Sequence, residues 1–250
     1  NDVVDQYYVY DVYEDIVIEE VNVDPIESYV VLLNGKALKE GEDYEVSRRS
    51  ANGEWSKITY TIHKDLFAEE GEYSIVVESV DKAQTTAYSD VKALKIAFVV
   101  DKTAPVIVIS GLETLGRYHV EQQEVTLIPT DDGGRLNSLK VVLMDSEGKS
   151  LTTESGEDIS VAFDMEGEEF LEYLNTNEGK VTFVIPTGLE MQVQIICNDC
   201  SSNDKNESNE YNEVFEKVTV SASGLIIYYA NKPLFYGSIA AVIGGGIVFI

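Results

Sequence analysis

Ile58-Thr59-Tyr60-Thr61-Ile62-His63 alternates strictly between apolar and polar side chains, so Ile58, Tyr60 and Ile62 share one face and Thr59, Thr61 and His63 the other. This is the pattern of a strand buried on one side and wetted on the other. Stretches of the same kind run from Ile16 to Val23, Tyr29 to Leu33, Tyr44 to Ser47, Tyr73 to Val80 and Leu94 to Val100. Asn34-Gly35, Asn52-Gly53 and Glu70-Gly71 supply turns among them. After Pro105 the pattern restarts with Val106 to Ile109, Val125 to Ile128, Leu139 to Met144, Ile159 to Phe163, Val181 to Ile185, Met191 to Cys197 and Val214 to Val220. Helical periodicity is confined to a turn or two near Lys64 to Ala68 and Glu168 to Leu174, which excludes a parallel sheet covered by helices. The expected fold class is all-β, with two sandwiches in series.

Asp101-Lys102-Thr103-Ala104-Pro105 separates the two sets, and Pro105 biases Ala104 toward extended backbone, which predicts a stiff joint. The expected partition is a first sandwich over 1–103, a second over 104–224, and a linker with a membrane-anchor segment over 225–250. Leu234 to Ile250 carries no charge and contains Gly244-Gly245-Gly246, and it approaches the ~20 residues that a helix needs to cross a bilayer. The expectation is a C-terminal transmembrane helix that runs off the end of the sequence, with Tyr228, Tyr229 and Tyr236 at headgroup level. A buried core strand or helix is the other reading of the same run. The chain opens at Asn1 without an apolar leader, as a mature product or a piece of a longer protein would.

Against 18 basic residues stand 45 acidic ones, a formal charge of −27, which repels polyphosphate and disfavours nucleic acid as a partner. Catalytic motifs are missing: there is no G-x-S-x-G, no G-x-x-x-x-G-K-[ST] and no H-E-x-x-H. The chain is therefore expected not to be an enzyme and to carry no cofactor. Paired carboxylates are too common in so acidic a sequence to mark a site.

Glu70-Gly71-Glu72-Tyr73-Ser74-Ile75-Val76-Val77-Glu78-Ser79-Val80-Asp81-Lys82-Ala83 and Phe98-Val99-Val100-Asp101-Lys102-Thr103-Ala104-Pro105-Val106-Ile107 resemble the penultimate strand and the inter-repeat junction of the bacterial immunoglobulin-like domains repeated in Gram-positive cell-surface proteins. Leu33-Asn34-Gly35-Lys36 with Glu40-Gly41-Glu42-Asp43-Tyr44 is similar to an early hairpin of the same modules. The resemblance implies immunoglobulin-like β-sandwiches and surface display. Setting Asp81 on Asp199 aligns Tyr73 with Met191, Ile75 with Val193, Val77 with Ile195 and Ser79 with Cys197. Tyr73 is either a tyrosine corner that ties down a preceding loop or a plain core aromatic.

Cys197 and Cys200 form a C-x-x-C, but their surroundings of strand and Ser/Asn/Asp-rich loop cannot depress a thiol pKa. A local disulfide and two free thiols both remain open. Zinc would need more ligands, and His63 and His119 fall in different modules. Asp131-Asp132-Gly133-Gly134 and the run Asp199, Asn203, Asp204, Glu207, Glu210 offer the oxygen ligands that calcium takes, although their spacing matches no EF-hand; solvated hairpin tips are the alternative. Tyr7, Tyr8, Tyr10 and Tyr13 read as a sugar or protein site or as core of a first strand.

The expected function is an extracellular stalk of a bacterial surface protein, anchored in the plasma membrane, that displays an N-terminal part away from the cell. An adhesin, or a module that binds a host or cell-envelope protein or glycan, is the alternative. The fold alone does not choose between them.

Overall fold

The computed structural model describes residues 7–51, 55–83, 85–88, 96–153, 155–202 and 208–223. The chain divides into two compact units, one of residues 1–103 with 133–135 and 200–209, the other of 104–132, 136–199 and 210–250.

Unit 1 contains β1 (Tyr7–Val9), β2 (Ile16–Asn22), β3 (Ile26–Leu33), β4 (Lys36–Ala37), β5 (Tyr44–Ala51), β6 (Trp55–Ile62), β7 (Gly71–Asp81), β8 (Thr86–Tyr88) and β9 (Ile96–Val100). One sheet has the order β2-β6-β5 and the other β1-β9-β7-β3-β4, with β8 on β7. The β6 alternation sets the pairing: Tyr60 lies opposite Ile18 on one side and Val46 on the other, so all three point inward together. Facing them are Val31 opposite Val77, and Leu33 opposite Ile75. Val31, Ile58, Tyr60, Ile62, Phe67, Ile75 and Val77 are buried in one cluster. Rings of Phe67, Tyr73 and Phe98 close one end, with centroids 5.2 to 5.6 Å apart. The β3–β4 hairpin turns on Asn34 (φ 49°) and Gly35 (φ 78°), the left-handed pair that a two-residue turn demands. Asn34 also accepts from Ser74 N through Oδ1 and donates to Glu72 O through Nδ2, pinning the turn to β7.

Unit 2 repeats the plan with β10 (Val106–Ser110), β11 (Arg117–Tyr118), β12 (Gln123–Thr130), β13 (Leu136–Met144), β14 (Val161–Glu166), β15 (Val181–Ile185), β16 (Gly188–Ser202) and β17 (Ser208–Val220). Here β10-β12-β15 form one sheet; β11, β17 and β16 run in order in the other, with β13 on β16 and β14 on β13. Leu127, Leu139, Val141, Val181, Phe183, Val193 and Ile195 fill the interior. Helix α1 (Gly167–Thr176) carries Glu168 and Glu169 in its first turn, where they favour the positive helix end, and buries Phe170 and Leu174 four residues apart on one face.

In unit 1 the chain crosses from β2 to β3–β4, back to β5–β6 and again to β7–β9, and in unit 2 from β12 to β13–β14, back to β15 and again to β16–β17; in each unit a short early strand (β1, β11) joins the last strand in parallel. That strand order is the immunoglobulin-like sandwich. The helical turns expected near 64–68 and 168–174 are present as a 3₁₀ turn over Lys64–Phe67 and as α1. Several boundaries move: β3 begins at Ile26, β5 runs on to Ala51, β13 begins at Leu136 and β17 at Ser208, and two further shifts have a clear local cause. The strand expected from Ile159 begins at Val161, after Asp158 Oδ1 has accepted from Ser160 N. The strand expected to stop at Cys197 continues to Ser202, because pairing with β13 holds Asn198 opposite Ser138 and Asp199 opposite Leu136. No helix among the described residues is long and apolar enough to cross a membrane. The proposed anchor, 234–250, lies outside the described residues, as does the Asn52-Gly53 turn.

Ile75→Ala should destabilise the protein by about 2–5 kcal/mol by leaving a cavity between the sheets. Val17→Ala, at a residue 57% exposed on the outer face of β2, should stay within about 0.5 kcal/mol. Urea unfolding followed by circular dichroism measures both.

Candidate functional site

The inward rows of β2 and β7 change character along their length. β2 turns Ile16, Ile18, Glu20 and Asn22 inward, and β7 turns Ile75, Val77, Ser79 and Asp81 inward, so each row is apolar at one end and polar at the other. The polar ends meet. Tyr60 Oη donates to Glu20 Oε2 at 2.9 Å, and Ser79 Oγ donates to Glu20 Oε1. Asn22 Nδ2 donates to Asp81 Oδ2 at 3.4 Å, and Thr85 N donates to Asp81 Oδ1 at 2.8 Å. Burial first, and then the Glu20 carboxylate, push the Tyr60 hydroxyl far above the usual phenol range. Glu20 beside Ser79 is formally a base next to a nucleophile, yet Ser79 is 3% exposed and Tyr60 fully buried, which keeps substrates away. The group links the two sheets through hydrogen bonds to charged acceptors.

At the rim of this group, the Tyr29 ring packs edge-on against Tyr60 with centroids 5.3 Å apart. Its hydroxyl donates to Glu40 Oε2 at 2.7 Å, and the Arg48 guanidinium lies 5.2 Å above its ring.

A second polar lock holds the last residues of unit 1. Asp101 is fully buried; its Oδ2 accepts from Ser201 Oγ at 3.0 Å, its Oδ1 from Thr103 N at 3.1 Å, and its backbone carbonyl from Asn209 Nδ2 at 3.0 Å. A Cβ on Gly133 would come within 2.6 Å of Asp101 Oδ1, so a larger residue there would have to displace the carboxylate. Lys102 N and Thr103 Oγ1 both donate to Glu70 Oε1, at 2.7 and 2.9 Å.

Tyr73 makes the corner bond, its hydroxyl donating to Glu69 O at 2.8 Å, while Met191 sits buried at the matching place in unit 2. The aligned rows both face inward: Ile75, Val77, Ser79 and Asp81 in unit 1, and Val193, Ile195, Cys197 and Asp199 in unit 2, are all buried. Among the N-terminal tyrosines, Tyr7 is exposed and Tyr8, Tyr10 and Tyr13 are half-buried.

Of the calcium candidates, Asp131 and Asp199 bring carboxylate oxygens within 4.8 Å of each other inside unit 2. Asn203 and Asp204 lie outside the described residues, and Asp132 is exposed beside the pair. No disulfide joins Cys197 and Cys200. They stand three residues apart on one continuous strand, on opposite faces and roughly 10 Å apart along the backbone, too far for a disulfide. Burial, and then Asp131 and Asp199, push the Cys197 thiol up to about 12.

Sequence reasoning missed Glu20 and Asn22 as interior groups. Their signal was the spacing of Ile16, Ile18, Glu20 and Asn22, which share one period.

No family model matches the chain, and no curated protein matches it. Among solved structures, the fibronectin(III)-like modules of Clostridium thermocellum CbhA align over 88% of this chain and 93% of that one, with 13% identity and a TM-score of 0.33. The N-terminal eight Ig domains of Down Syndrome Cell Adhesion Molecule align over 86% of this chain and 26% of that one, at 11% identity and a TM-score of 0.25. A chicken TCR structure aligns over 85% of this chain and 96% of that one, at 11% identity and a TM-score of 0.25. The strand order, rather than these distant likenesses, defines the class: a chain of immunoglobulin-like β-sandwich units.

Tyr60→Phe should cost roughly 1–3 kcal/mol, the range for a hydrogen bond to a charged group, and Tyr73→Phe about 1 kcal/mol; chemical denaturation reads both. The folded Cys197 thiol keeps its proton up to about 12, whereas an unfolded thiol loses it near ~8.5. Between those values the folded state binds more protons, so stability should fall as pH rises through the window, and the Cys197→Ala variant should show a shallower decline. In the native protein at pH 8, Cys197 should resist a maleimide that labels it after unfolding.

Proposed function

We propose that the chain is an extracellular, membrane-tethered spacer of a bacterial surface protein, in which immunoglobulin-like units hold an N-terminal part away from the cell. The observation that carries this reading is the fate of the inward-facing polar groups. The half-buried Glu20 and the buried Asp81 and Asp101 each accept hydrogen bonds from the chain's own side chains or backbone, joining strands to one another and fixing the residues that leave unit 1. Buried polar groups satisfied in this way stiffen a module and specify one packing. A charge of −27 suits such a role, because it keeps the units from adhering to anionic envelope polymers. The uncharged run 234–250 supplies the tether.

The adhesin reading has one observation in its favour, the exposed Arg48 stacked on Tyr29 beside Glu40, an aromatic and charged grouping that protein or glycan ligands use.

The test is fractionation of cells that express the parent protein with and without residues 234–250, together with protease shaving of intact cells. The intact protein should sediment with membranes and lose its units to external protease, and the truncated form should be released. Recovery of both forms in the soluble fraction would overturn the tether.

A further inference from the structure

The Asn34-Gly35 pair does more than turn the β3–β4 hairpin. Leu33 pairs with Lys36, so the loop has two residues, and both have positive φ, 49° and 78°, which makes it a type I′ turn. Asn34 N donates to Ser74 O at 2.9 Å, Asn34 Oδ1 accepts from Ser74 N at 2.7 Å, and Asn34 Nδ2 donates to Glu72 O at 2.9 Å. The carboxamide thereby extends the β3–β7 ladder past its last backbone pair, Leu33 with Ile75. Both turn residues are exposed, and even a Cβ on Gly35 would meet nothing within 4 Å.

An asparagine followed by glycine sets an electrophile beside a nucleophile that no side chain shields. Gly35 N can bond to Asn34 Cγ; the Cγ–Nδ2 bond breaks, and Nδ2 leaves as ammonia with the proton that Gly35 N gives up. The product is a five-membered succinimide. Water then adds across one of its two ring C–N bonds, giving aspartate when the bond to Cγ opens and isoaspartate when the main-chain bond opens. Water enters, ammonia departs and nothing is oxidised or reduced.

The turn decides when this chemistry can run. Ring closure needs Asn34 Cβ and Gly35 N eclipsed about the Cα–C bond. At the first central residue of a type I′ turn ψ is near about +30°, the mirror of type I, which sets those two atoms roughly 150° apart about that bond. The other two-residue hairpin turn, type II′, would bring them together, but it calls for glycine where this chain has Asn34. The departing Nδ2 must also release Glu72 O.

We propose that Asn34 is a site of spontaneous deamidation gated by its own turn: the closed hairpin holds the reacting atoms apart, and conversion proceeds while the clasp to β7 is open. The change is one-way. Aspartate sets an oxygen against Glu72 O where Nδ2 had donated, and isoaspartate lengthens the main chain of a two-residue turn, so neither product restores that bond. The reading is independent of the tether and of what the units display.

Mass spectrometry of peptides from the full chain, aged at mildly alkaline pH in a mild detergent, either folded or unfolded in guanidinium chloride, measures aspartate and isoaspartate at position 34. Conversion should be at least about tenfold slower in the folded chain, because it follows the population of the open turn. With denaturant added below the unfolding transition, conversion should rise in step with hydrogen exchange at the Ser74 amide, which bonds Asn34 Oδ1. Asn34→Asp makes one product directly, and its Leu38 amide, bonded across the hairpin to Val31 O, should exchange at least about twofold faster, the least that one lost hydrogen bond implies. Equal conversion in the folded and unfolded chains, or none in either, would overturn the proposal. So would faster conversion in the folded chain, which would make the Ser74 N–H a stabiliser of the oxyanion formed at Oδ1. Conversion that rises without Ser74 exchange, or Leu38 exchange that ignores Asn34→Asp, would overturn it as well.

Discussion

In unit 1 the two layers are held at a fixed distance by Tyr60. Its ring is fully buried, its edge meets Tyr29 of the opposite sheet at 5.3 Å, and its hydroxyl ends on Glu20 of the neighbouring strand. An aromatic ring that reaches across an interior does two things at once: it removes apolar area from water and carries a polar tip that must find a partner. The strand pairing around it follows. β2 has to place Glu20, and not Glu19, on the inward face, since a shift of one residue would bury Glu19, expose Ile18 and leave the Tyr60 hydroxyl without its acceptor. Register, layer spacing and polar satisfaction are therefore one constraint.

Unit 2 solves the same geometry with different chemistry. Where unit 1 has Tyr73, Ser79 and Asp81, unit 2 has Met191, Cys197 and Asp199, buried in the same alternating row. Ser79 spends its hydroxyl on Glu20, whereas Cys197 is a small apolar filler whose thiol stays protonated. The corner bond that Tyr73 gives unit 1 has no counterpart at Met191, but Tyr118 packs its ring over Gly116 and bonds the Glu113 backbone, so a tyrosine still ties an early loop of unit 2. The fold tolerates these exchanges because inward alternation, and not any one side chain, is what each position requires.

Most strands were legible because alternation is a local property: the inward positions Ile58, Tyr60, Ile62, Ile75, Val77, Leu139, Val141, Phe183 and Ile195 are recognisable from their neighbours two residues away, and all are buried. Ser79 was legible as part of the inward row with Ile75 and Val77, but its polar partners were not, since Glu20 meets Ser79, and Asn22 meets Asp81, only when strands 59 residues apart pack face to face. The length of β16 was misread for a related reason. Asn198, Asp199 and Cys200 have turn-like composition, but the ladder to β13 and the bond from Cys200 N to Arg135 O keep the chain extended. Extension in turn separates the two thiols that spacing alone would allow to join.

What the sequence determined by itself is the all-β class, the positions of its strands and its charge, because period-two alternation, turn residues and ionisable groups act over a few residues and need no partner. What only the tertiary structure decided is which polar groups are interior and whether the cysteines can meet, because each depends on pairing between distant strands, where a single residue of register exchanges the buried face for the wet one.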